Sequence, residues 1–188
     1  MKAVLFDKDG TLVHDVPYNA DPDRLELRPE AGAALARLQA AGFSLGVVSN
    51  QSGVARGYFK ESDVAVVERR LRAMLSEFGV RLDCFLFCPH HPEGTVEAYS
   101  IACDCRKPRP GLVGRALADL DADPGQSWFV GDILDDVEAG ARGGCRTVLL
   151  DVGSETEWRI GRFRDPDLVA PDLIWAANAI VDAQRMAA

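Results

Sequence analysis

The chain has 188 residues, 47% of them hydrophobic and 27% charged, with a formal net charge of −8 at pH 7; this is the balance of a globular protein able to bury a sizeable core. No run approaches the roughly 20 apolar residues that span a bilayer, and Met1-Lys2-Ala3-Val4-Leu5-Phe6-Asp7 turns acidic too early for a signal peptide, so a cytoplasmic location without membrane association is expected. The negative charge disfavours nucleic acid as a partner, because such proteins carry a basic face, and it requires any phosphate to be drawn by a local field of cations, N–H groups or a metal.

Short apolar runs alternate with helical patterns along the chain. Ala3–Phe6 reads as a first strand, and the turn formers of His14–Arg28 as a loop. A helix is expected over Pro29–Ala41, with Pro and Glu in its first turn and Gly42 as its stop. Leu45–Val48 is a second strand, and Ser62–Phe78 a helix with Ser62 as N-cap and Gly79 at its end. Then come a strand at Cys84–Phe87, a loop at His90–Ala102, a helix at Pro110–Leu120, a strand at Trp128–Val130, a helix at Leu134–Arg142, a strand at Thr147–Leu150 and a last helix at Asp172–Met186. Strand runs without polar alternation are buried on both faces, as in parallel sheets. The rhythm predicts an α/β fold with a central parallel sheet flanked by helices, in a single domain over residues 1–188. From Gly153 onward no motif is legible.

In open α/β sheets, ligands bind beyond the carboxyl ends of the strands. Asp7 follows the first strand, Ser49-Asn50-Gln51 the second, and Gly131-Asp132 the Trp128–Val130 strand. Any one of these could be a cap or turn residue; together they gather polar chemistry at one sheet edge. In Asp7-Lys8-Asp9-Gly10-Thr11, one carboxylate can attack phosphorus and the other can carry a proton to the leaving oxygen. Two carboxylates would repel a phosphate unless a divalent cation lies between them, and Mg²⁺ suits carboxylate and carbonyl oxygens, with Asp132 as a further ligand. Ser49-Asn50-Gln51-Ser52-Gly53 offers a hydroxyl and backbone N–H groups to phosphoryl oxygens, and Lys107 offers a point charge with Pro108 directing the chain after it. Positioning and charge compensation are what phosphoryl transfer requires.

Asp7-Lys8-Asp9-Gly10-Thr11, Ser49 after an apolar strand, Lys107 and Gly131-Asp132-Ile133-Leu134-Asp135-Asp136 resemble, in order, the four motifs of the haloacid dehalogenase (HAD) superfamily. The resemblance implies a HAD-like Rossmannoid fold, Asp7 as nucleophile, Asp9 as general acid/base and, through its backbone carbonyl, a Mg²⁺ ligand beside Asp7 and Asp132. It implies Ser49 and Lys107 as phosphate binders. An Asp at position 9 points to phosphatases within the superfamily.

Cys88-Pro89-His90 and Cys103-Asp104-Cys105 are two tight pairs across one loop. Three thiolates and one imidazole make a closed tetrahedral set for structural zinc: Cys88, His90, Cys103 and Cys105. Cys84 and Cys145 sit on strand patterns and read as core, His91 as a residue outside the ligand set, and His14 as a loop residue. A zinc-stapled loop would fix the chain just before Arg106 and Lys107, where Arg106 can make bidentate bonds to a phosphate or sugar hydroxyl. This window, with Ser49–Gly57, is similar to the D-glycero-D-manno-heptose 1,7-bisphosphate 7-phosphatases and to the related histidinol-phosphate phosphatases. The resemblance implies substrate contacts from Asp15, Tyr18, Ser49, Asn50, Gln51, Ser52, Arg106 and Lys107. Arg56, Arg106 and Arg109 favour a bisphosphate over histidinol phosphate. No large cap domain fits between the motifs, so an open site acting on a small phosphorylated metabolite is expected, in a monomer.

Overall fold

The computed structural model describes residues 1–187. Six strands, β1 (Ala3–Phe6), β2 (Ser44–Asn50), β3 (Cys84–Cys88), β4 (Trp128–Gly131), β5 (Arg146–Leu150) and β6 (Leu168–Ala170), alternate with the helices α1 (Ala31–Ala40), α2 (Glu61–Ser76), α3 (Gly111–Asp119), α4 (Leu134–Arg142) and α5 (Leu173–Ala187). The sheet has the order β3-β2-β1-β4-β5-β6, and every neighbouring pair is parallel. Its two faces divide the apolar residues by parity. Val4, Phe6, Leu45, Val47, Trp128 and Val130 pack with Leu35 and Leu38 of α1, Leu71 of α2 and Ile180 of α5. Ala3, Leu5, Val48 and Phe129 pack with Val113 and Ala116 of α3 and Ala139 of α4. Among the described residues, no helix is long and apolar enough to cross a membrane.

The chain moves outward from β1 through β2 to β3, returns to lay β4 beside β1, and then runs outward in the other direction. The reversal leaves a crevice beyond the carboxyl ends of β1 and β4, where such sheets hold ligands. Asp7 and Asp132 stand at that reversal. The helix stops at Gly42 and Gly79 have φ of 82° and 70°, a left-handed turn that glycine adopts without the clash of a Cβ.

Three local expectations change. The helix α1 starts two residues after Pro29, because Pro29 and Glu30 form a turn. The cap of α2 is Lys60, whose N–H donates to the Asp63 carboxylate at 2.8 Å; Ser62 lies within the first turn. The short edge strand β6 lies in the stretch that carries no sequence motif.

Candidate active site

Parallel pairing sets the position of the nucleophile candidate. The N–H of Asp7 donates to the carbonyl of Val130 at 3.0 Å, so the chain is still bound to β4 as it leaves the sheet. The Asp7 side chain is buried, with Asp132 and Asp136 beside it, and one oxygen from each carboxylate lies within 4.8 Å of the others. Lys107 is buried in the same pocket. Its ammonium donates to Asp7 Oδ1 at 2.5 Å and to the Val48 carbonyl at 3.0 Å, and it pairs with Asp136 at 2.6 Å. Burial alone would lower the Lys107 pKa, but Asp136 and Asp7 hold it above its ordinary value. Burial drives the Asp7 carboxyl up to about 7 against the pull of Lys107, and drives Asp132 up to about 6 with Asp7 adding to the rise. Three carboxylates thus share a desolvated pocket with one ammonium, which pairs with two of them, Asp7 and Asp136. An oxygen donor set of this kind, short of positive charge, fits a hard divalent cation such as Mg²⁺. The sequence reading overlooked Asp136 as a partner of Lys107. It closes the Gly131–Asp136 motif, and only the first turn of α4 brings it back to the pocket.

Asp9 is turned differently. Its carboxylate pairs with the buried ammonium of Lys8 and accepts from Gln51 Nε2 at 2.9 Å. Gln51 Nε2 also donates to Ser49 Oγ at 2.8 Å, so one amide joins the ends of β1 and β2. The side chain of Asp9 stands outside the cluster of three carboxylates. Thr11 Oγ1 donates to Asp132 Oδ1 at 3.1 Å, and Arg28 Nε holds the Gly10 carbonyl at 2.9 Å. Gly10 has φ +81°, and a Cβ there would lie 2.0 Å from Asp132 Oδ2. Gly10→Ala is therefore expected to displace Asp132, cut kcat by about 100-fold and lower stability by more than about 1 kcal/mol. Steady-state kinetics and a melting curve check both effects; an unchanged kcat would place Asp132 outside the reacting centre.

Asn50, expected among the phosphate and substrate ligands, binds Lys107 with its side-chain amide. Its Oδ1 accepts from the Lys107 N–H at 3.0 Å and its Nδ2 donates to the Lys107 carbonyl at 3.2 Å. This two-point clamp sets where the ammonium reaches. Asn50, Gln51 and Ser52 also line a cleft of about 290 Å³ with Asp9, Asp15 and Tyr18. Tyr18 meets Tyr58 edge to face at 4.9 Å. Arg106 Nη1 donates to the His90 carbonyl at 3.5 Å, so its backbone neighbour Lys107 and the Cys/His loop form one unit. Arg109 instead bonds Cys103 O and lies 3.7 Å from Asp104.

Cys88, His90, Cys103 and Cys105 converge. The sulfurs are 3.2 to 3.5 Å apart, and His90 Nδ1 lies 3.3 Å from Cys105 Sγ and 3.6 Å from Cys88 Sγ. A disulfide needs about 2.05 Å, and all five cysteines are free. A tetrahedral zinc with bonds near 2.3 Å has edges of about 3.8 Å, which this set reaches with a small expansion. Burial raises the thiol pKa of Cys88 and Cys105, so a cation is needed to hold them as thiolates. His91 points elsewhere, accepting from the Glu93 N–H. Cys84 and Cys145 are buried in the core, and His14 is exposed on its loop.

A buried carboxylate paired with a lysine, among clustered acidic residues at the switch point of this sheet, is the arrangement of a HAD-like hydrolase of the phosphatase kind. The HAD-hydrolase-like family model matches residues 104–176. The chain is 44% identical over 150 residues to the D-glycero-beta-D-manno-heptose-1,7-bisphosphate 7-phosphatase of Haemophilus ducreyi, covering 79% of this chain and 82% of that protein. It is 36% identical over 181 residues to the Escherichia coli K12 enzyme of the same name, covering 96% and 90%. The solved structure of D,D-heptose 1,7-bisphosphate phosphatase from B. bronchiseptica, complexed with magnesium and phosphate, superposes with a TM-score of 0.82 at 28% identity, over 97% of this chain and 99% of that one. The chain belongs to the family of D-glycero-beta-D-manno-heptose-1,7-bisphosphate 7-phosphatases.

Proposed function

We propose that this chain removes the 7-phosphate of D-glycero-β-D-manno-heptose 1,7-bisphosphate through an aspartyl phosphate on Asp7. The observation that carries the mechanism is the buried Asp7 carboxylate held at 2.5 Å by Lys107. The free Asp7 oxygen attacks phosphorus as the bond to the sugar oxygen breaks. Asp9, steadied by Gln51 and in its carboxylic acid form, gives its proton to the departing sugar oxygen, which leaves as a hydroxyl. It then takes a proton from a water that attacks the acyl phosphate, releasing inorganic phosphate and restoring Asp7. Lys107 and Ser49 balance charge on the phosphoryl oxygens. Asp7, Asp132 and the Asp9 carbonyl would hold Mg²⁺, which supplies the positive charge that lets a carboxylate meet a phosphate. Asp136 serves Lys107 rather than the cation.

Substrate choice falls to the open cleft. Asp15, Tyr18 and Ser52 face the sugar from one side, and Arg106 offers its guanidinium from the Cys/His loop. Zinc at Cys88, His90, Cys103 and Cys105 would be structural. One chain carries every group, so the active unit is a single-domain monomer acting on a soluble metabolite in the cytoplasm. The relatives' names support the heptose bisphosphate. The test is phosphate release from both anomers and from histidinol phosphate, with Mg²⁺ present. The β-anomer is expected to exceed a kcat/KM of about 10⁴ M⁻¹s⁻¹ with histidinol phosphate far slower; the reverse order would keep the mechanism and reject the substrate.

A further inference from the structure

The segment after β5 carries no sequence motif, yet it touches the helix that begins beside the acidic pocket. The first turn of α4 has a weakness: its N-cap is Ile133, which has no side-chain acceptor for the free N–H groups that begin a helix. Asp136 reaches back with one oxygen only: its Oδ2 accepts from the Ile133 N–H at 3.4 Å while its Oδ1 pairs with Lys107, so the Leu134 N–H needs another acceptor. Glu155 fills the gap. Its Oε2 accepts from the Leu134 N–H at 2.6 Å, and its Oε1 accepts from the Glu157 N–H at 2.7 Å. Farther along, Arg164 Nη1 binds Asp135 at 2.8 Å and Glu138 at 2.7 Å. The stretch from Ser154 to Arg164 is therefore a strap fastened to α4 at two points, with Trp158 and Ile160 exposed between them.

We propose that Glu155 is a positioning residue for the cation site: by capping α4 at Leu134 it fixes the turn that runs from the cation ligand Asp132 to Asp136, the partner of Lys107. This rests on the reading of Asp7 and Asp132 as Mg²⁺ ligands. The carboxylates of that turn are pushed apart by their own charge, and a loosened first turn would let them separate before a cation arrives. Residues that orient ligands from behind are worth about 10- to 100-fold in metal affinity.

The experiment is a melting curve of the purified protein at rising MgCl₂, with kinetics run alongside. Wild type is expected to be stabilised by Mg²⁺ alone. Glu155→Ala should raise the Mg²⁺ concentration for half of that shift by about 10-fold, while KM for substrate at saturating Mg²⁺ stays near wild type. Glu155→Gln keeps an acceptor oxygen and should recover most of the affinity. Arg159→Ala, at a side chain that pairs with Glu157 of the same strap, should leave the Mg²⁺ dependence unchanged. A lower Tm for Glu155→Ala with unaltered Mg²⁺ dependence would overturn the proposal and leave a purely structural cap. Absence of any Mg²⁺ effect in wild type would overturn the cation site itself, and the proposal with it.

Discussion

Asp7→Asn is expected to reduce phosphate release by at least about 10⁴-fold, since it removes the nucleophile while keeping its shape. Asn has no charge to direct at phosphorus, and its amide nitrogen cannot form the acyl phosphate. The fold should survive, because Lys107 keeps Asp136 and the Val48 carbonyl as partners. Stability of the magnesium-free protein should even rise. In the wild type, the carboxylates of Asp7, Asp132 and Asp136 crowd together in a buried pocket, and removing one negative charge relieves repulsion that water cannot screen. A single substitution is thus expected to move activity down and Tm up. Substrate carrying a labelled phosphate should leave no label on the Asp7→Asn protein, whereas a quenched wild-type reaction traps it. Residual activity within about tenfold of wild type would mean that water attacks directly and that Asp7 only binds.

The sheet was legible because buried parallel strands leave short unbroken apolar runs, and Ala3–Phe6 matches its strand to the residue. The carboxyl-end rule then placed Asp7, Ser49 and Asp132 at one edge without any knowledge of their contacts. What stayed hidden depends on side-chain direction. Nothing in the sequence says that Lys8 is 1% exposed and spends its charge on Asp9, since a lysine in a turn is ordinarily solvated. The Asn50 clamp needs the register of β2 against the chain entering Lys107, and Asp136 needs the turn of α4. β6 escaped notice because three residues, with Val169 half exposed at the sheet edge, carry too little periodicity. Glu155 was invisible for a related reason: a cap that arrives from 21 residues away has no local signature.

Breaking the Cys/His cluster is expected to damage catalysis at a distance, and the route can be named. Cys88 ends β3 directly opposite Asn50 in β2, and the Cys88 carbonyl accepts from the Gln51 N–H at 2.8 Å. Cys105 lies two residues before Lys107. The cluster therefore ties together both partners of the Asn50–Lys107 clamp, and a metal there would set the height of the ammonium above Asp7. The same loop is stitched to the substrate side, where the Thr95 and Val96 N–H groups donate to the Ala55 carbonyl at 2.8 and 2.9 Å. Cys103→Ser removes one thiolate and leaves the clamp's own residues untouched. The main core is independent of this loop, so the variant should fold, with a loss of about 3 kcal/mol and a Tm lower by roughly 6 to 12 °C. A misplacement of about 1 Å at Lys107 is enough to lower kcat by about 100-fold. Atomic-emission analysis should find one zinc per wild-type chain and less than one in the variant. Chelator-treated wild type should show the same kinetic defect and recover on adding Zn²⁺ but not Mg²⁺. If Cys103→Ser keeps its Tm and kcat, the three thiols and His90 are a packed cluster without a metal, and the position of Lys107 rests on Asn50, Asp7, Asp136 and the Val48 carbonyl.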